Sequence, residues 1–106
     1  QRAATPPERL PEVVARQVDA GIRFAQAFPE HPDSGGVITR AAQDVFDRKD
    51  LPRAIEVAGL VLAHQPPVDA ARQRIAWTII GQSNFEQGDF ERAESAYQKA
   101  RELAPA

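Results

Sequence analysis

The stretch from Trp77 to Pro105 limits the fold of this chain more tightly than any other. Trp77, Ile80 and Gly81 come first, Gly88-Asp89-Phe90 follows, and Ala93, Tyr97, Ala100 and Pro105 close it. Gly88-Asp89 reads as a turn, with Asp89 as the N-cap of a second helix. The stretch is therefore a helix–turn–helix unit, and its markers recur upstream. Ala20 to Ala54 and Pro32 to Pro66 are each 34 residues apart, and Ala54 to Ala93 and Pro66 to Pro105 are each 39 apart. A hairpin repeated at near-constant spacing folds by stacking copies, because one copy cannot bury its apolar face alone. The additional five residues fall at Val68 to Arg72 and are expected to lengthen the front of the following helix, with Asp69 as its cap.

On these residues the chain resembles the tetratricopeptide repeat (TPR), whose pattern runs W-x2-L-G-x2-Y, then A-x3-F, then P. The resemblance implies that Gly81 and Ala93 sit where two helices approach closely, with Trp77, Ile80 and Tyr97 filling the space around them. Asn84 stands where the pattern has Tyr, with Phe85 beside it. The implied fold is all-α: antiparallel helix hairpins stacked into a right-handed superhelical segment. Five helices are expected, at about 11–28, 35–48, 51–64, 69–86 and 90–103. Residues 1–9 read as a flexible N-terminal arm. Residues 10–34 read as a lone helix like the second half of a repeat, 35–68 as a degenerate repeat, and 69–106 as a well-matched repeat.

Hydrophobic periodicity supports the helices independently. Val14, Val18, Ile22, Ala25 and Phe28 form one stripe, and Val13, Ala20, Phe24 and Ala27 a second, so the first helix is expected to pack on two sides. Thr5-Pro6-Pro7-Glu8 has the form of a capping box. Asp33 or Ser34 is suited to cap the second helix, and Asp50 the third, where Lys49-Asp50 corresponds to Gly88-Asp89.

Composition excludes several function classes. The chain has 106 residues, no cysteine and a formal charge of −2, so it lacks thiolate chemistry and the basic excess of a nucleic-acid binder. No apolar run reaches the roughly 18 residues of a membrane span. Methionine is absent and residue 1 is Gln, which reads as a segment of a longer repeat array. His31 and His64 lie in closing loops with no second ligand nearby in sequence, so solvated histidines are expected rather than a metal site. Asp44, Asp47, Asp50, Glu86 and Asp89 read as caps and solvated charges, or as a patch for a basic partner. No catalytic constellation, phosphate loop or nucleotide fingerprint is present, and Gly35-Gly36 follows a polar loop rather than a strand. The reading is a non-enzyme with no cofactor.

In TPR arrays the first helix of each repeat lines a concave groove. Carried over by register, the partner-binding positions are Thr39, Gln43, Phe46 and Asp47, then Thr78, Gln82, Phe85 and Glu86. The two sets match residue for residue in kind. The implied function is protein–protein interaction, as a scaffold or adaptor segment binding a peptide or protein in that groove. Thr and Gln replace the Lys/Asn/Arg clamp of chaperone-binding TPRs, which argues against a C-terminal carboxylate as ligand. The alternative is a structural spacer or a self-association module that forms homo-oligomers through exposed array ends. The junction from Phe24 to Ser34 is similar to those of bacterial cell-envelope TPR proteins, such as the TPR lipoprotein of the barrel-assembly machinery and the Tol–Pal coordinator. The similarity implies a bacterial periplasm or envelope location, with the cytoplasm as the alternative.

Overall fold

A computed structural model describes residues 10–104. The N-terminal arm and its capping box lie outside the described residues. Five helices follow one another: α1 (Leu10–Ala27), α2 (Ser34–Asp47), α3 (Leu51–Ala63), α4 (Ala70–Glu86) and α5 (Phe90–Glu102). Each helix packs on the next, and α2 also packs on α4. The result is an all-helical stack of hairpins, as the spacing predicts.

The helix ends follow from local chemistry. Asp50, Asp69 and Asp89 each accept a hydrogen bond from the backbone N–H of the arginine three residues on, at 3.4, 3.3 and 3.2 Å. Each such cap is worth about 1 kcal/mol. The α2–α3 and α4–α5 turns share one backbone form. Lys49 and Gly88 both take positive φ, 66° and 86°. The next residue's N–H then reaches back to the last full turn, from Asp50 to Val45 O and from Asp89 to Asn84 O. The start of α2 differs from expectation. Asp33 occupies the N-cap position without a side-chain cap bond, and the Ser34 hydroxyl instead donates to the Phe28 carbonyl, closing the preceding loop.

The core is built largely from small residues. Ala25, Ala42, Ala54, Ala58 and Ala76 are fully buried, alongside Ile38, Val45, Val57 and Val61. Small side chains at the crossings let the helix axes approach, and the branched residues fill what remains. Ile38, Ala41, Ala42 and Val45 form the i, i+3, i+4, i+7 stripe of α2. α4 has no single apolar face: Ile75, Ala76, Trp77, Ile79 and Ile80 run round it, because it packs on α2, α3 and α5 at once. Gly81 meets Tyr97 as the repeat pattern requires. A Cβ there would lie 2.8 Å from two carbons of the Tyr97 ring.

The first helix departs from its expected environment. Val18, Ile22 and Ala25 are buried, but Ala20 and Ala27 are exposed, and Phe28 lies beyond the end of α1 and is 59% exposed. Among the described residues α1 packs chiefly on α2, and its second stripe is only partly covered: Val13 and Phe24 are half-buried, while Ala20 and Ala27 are exposed. Across its outer side it is tied to α3 by Asp19 and Arg53, 3.3 Å apart. The Arg53 guanidinium is held above its ordinary pKa, first by its hydrogen bond to Glu56 and further by Asp19.

Candidate binding groove

α2 and α4 are the first helices of successive hairpins, and they run side by side in the same direction. At their N-terminal ends Gly35 and Gly36 meet Val68 and Arg72. At their C-terminal ends Lys49 Nζ reaches Glu86 Oε1 at 3.6 Å. Between these two contacts lies an open cleft of about 560 Å³. Gln43, Phe46, Asp47, Thr78 and Gln82 all line it, so five of the eight carried-over positions converge on one surface. Arg40, Asp44, Arg74, Ile75 and Ile79 complete the lining.

The three remaining positions lie elsewhere. Thr39 is 4% exposed, and its hydroxyl donates to Gly35 O at 2.7 Å. It is one turn beyond Gly35, which itself lies against Val68. Its counterpart Thr78 is exposed and donates to Arg74 O at 2.8 Å. Phe85 is 55% exposed and sits at the α4–α5 turn, edge-on to Phe90 with ring centroids 5.3 Å apart. Glu86 holds Lys49 at the end of the cleft.

The lining falls into three chemical parts. Phe46, Ile75 and Ile79 form an apolar floor continuous with the core. Lys49 Nζ lies 5.4 Å from the Phe46 ring centroid. Gln43 and Gln82 are exposed and take part in no side-chain hydrogen bond among the described residues. Of the charges, Arg40 pairs with Asp44 at 3.6 Å. Asp47 and Arg74 have no ion-pair partner among the described residues, although Arg74 also points toward Leu103 O at 3.5 Å. Arg74 and Arg40 were absent from the carried-over set. Arg74 is four residues before Thr78 and Arg40 three before Gln43, so helical spacing alone would have placed both on the groove face.

Asn84, at the position of the pattern's Tyr, is buried and donates to Ile80 O at 2.9 Å. It helps line a second cleft on the opposite side of α4, between α3 and α5, with the half-buried Trp77 and Ile80. The histidines separate. His31 is exposed, accepts from Asp33 N–H at 3.0 Å and stands edge-on to Phe24. His64 is only 9% exposed, and its Nε2 lies 3.0 Å from Pro29 O. His64 is thus a buried tie between two loops, contrary to the solvated reading. Among the described residues no group of His, Asp and Glu is placed to hold a metal. None of the described helices is long and apolar enough to cross a membrane.

A stack of helical hairpins with an open, mixed-chemistry cleft along its first helices defines a helical-repeat protein. More particularly, residues 75–106 match the sequence model of the tetratricopeptide repeat, so the last hairpin carries a TPR unit. Comparison with curated proteins gave no match, and comparison with solved structures gave none. TPR units in general serve protein–protein interaction.

Proposed function

We propose that this chain is a scaffold or adaptor segment that binds a peptide or protein partner in the cleft between α2 and α4. The observation that carries this reading is the convergence of Gln43, Phe46, Asp47, Thr78 and Gln82 on one open surface. A preformed cleft on stacked helices presents these side chains with little ordering cost, which favours recognition without a chemical step. The unbonded amides of Gln43 and Gln82 suit an extended ligand, whose backbone N–H and C=O groups need partners. Repeats of this style support a place in the bacterial envelope.

The test is a paired capture from envelope and cytosolic fractions of the source cell. One bait is the chain itself, and the other carries Thr78→Arg and Gln82→Arg, two exposed changes that leave the core intact. A protein retained by the first and lost by the second places recognition in the cleft and reports the compartment. Equal capture by both, or capture of the chain's own copies alone, replaces this reading with the spacer or self-association role.

A further inference from the structure

The cleft is electrically polarised along its length, and that polarity specifies its occupant. Arg74 stands at the end near the N-termini of α2 and α4, and Asp47 at the end near their C-termini. Both lack an ion-pair partner among the described residues, whereas Arg40 and Asp44 between them neutralise each other. The cleft therefore presents one cation without a carboxylate partner, whose Nη1 donates to Leu103 O at 3.5 Å, then an apolar floor flanked by two free amides, and one carboxylate without a cationic partner, in that order. The repeat offset sets the spacing. Asp47 is equivalent to Glu86, which lies 12 residues after Arg74 on the same helix. At about 1.5 Å per residue that is about 18 Å. An extended peptide covers this with about six residues.

We propose, resting on the groove reading above, that the ligand is an extended peptide segment of one stated chemistry. It has an acidic side chain for Arg74 and a basic side chain for Asp47 about six residues away, with small apolar residues between them over Phe46, Ile75 and Ile79. The fold already holds one cation in the manner required at the acidic end. The Lys49 ammonium sits over the Phe46 ring and against Glu86, one turn past the cleft. A partner's lysine or arginine would meet the carboxylate of Asp47, which lines the cleft beside Phe46. A helical ligand satisfies its own backbone and leaves Gln43 and Gln82 without a role. An extended one engages them.

The test uses the whole chain, labelled with nitrogen-15, and blocked seven-residue peptides with five alternating Ala and Val between the end residues. One peptide has Glu first and Lys last, a second Glu at both ends, a third Lys at both ends, and a fourth Gln at both ends. The mixed peptide is expected to shift the amides of α2 and α4 and to bind about fivefold more tightly than the neutral one, with the gain lost in high salt. Asp47→Lys moves the preference to the peptide with two Glu, and Arg74→Glu moves it to the peptide with two Lys. Equal binding of all four peptides, reduced alike by Gln82→Arg, overturns the polarity and leaves the groove reading standing. Absence of any shift on α2 and α4 with every peptide overturns both.

Discussion

Gly81 offers the sharpest test of the packing, because two opposing effects of known size meet there. Gly81 lies inside α4, where a change to alanine ordinarily gains about 1 kcal/mol of helix propensity. Its missing Cβ, however, is the space occupied by Tyr97. The added carbon would stand 2.8 Å from Cδ1 and Cε1 and 3.2 Å from Cγ, so the contact is with the body of the ring, not a free tip. Tyr97 must turn or α5 must retreat, and overpacking of this kind costs about 1–3 kcal/mol. The net effect of Gly81→Ala is a loss of roughly 0–2 kcal/mol, and Gly81→Leu loses more. The decisive form is a double-mutant cycle with Tyr97→Ala, measured by urea melts that follow the fluorescence of Trp77, the only tryptophan. With the ring removed, Gly81→Ala should stabilise by about 1 kcal/mol, giving a coupling of about 1–3 kcal/mol. If Gly81→Ala stabilises equally in both backgrounds, with coupling below about 0.5 kcal/mol, the close approach of α4 and α5 is refuted.

Other substitutions separate the remaining contributions. Gly88→Ala should cost about 1 kcal/mol in the same melts; nothing lies within 4 Å of its Cβ position, so the whole effect comes from its φ of 86°. Ser83 is fully buried with a hydroxyl that has no hydrogen-bond partner, so Ser83→Ala should be neutral or stabilising by up to about 1 kcal/mol, read from the urea midpoint. His64→Leu keeps most of the side-chain volume but leaves Pro29 O without its donor. It should destabilise by about 1–3 kcal/mol in urea while leaving peptide-induced shifts on α2 and α4 unchanged.

The helices were legible in the sequence because their boundaries are local. Asp50, Asp69 and Asp89 each precede a helix and bond to a backbone group three residues away, so the signal and the structure share one short stretch. The Gly81–Tyr97 contact was legible for a different reason: an established repeat pattern encodes the pairing. What escaped was set by tertiary neighbours. Two apolar stripes on α1 say that either face is suited to burial, and only the position of α2 decides which one is more fully covered. Thr39 and Thr78 are equivalent in register, yet one is enclosed and the other open. A register transfer carries residues from repeat to repeat but not their neighbours. His64 looks like a loop residue because its partner, the Pro29 carbonyl, is 35 residues away. Arg74 and Arg40 were missed for want of a family precedent, although helical spacing put both on the groove face.

The distribution of helix contacts has a consequence for how the molecule comes apart. Among the described residues α1 packs chiefly on α2 and α5 on α4, α3 packs on two helices, and α2 and α4 pack on three each. In a one-dimensional stack, opening is cheapest where fewest interfaces break. Amide exchange should therefore begin in α1 and α5 and reach α2 and α4 last. The two slowest helices are the ones that carry the cleft. α1 and α5 open first, while the spacing between Arg74 and Asp47 is held by the most persistent part of the fold.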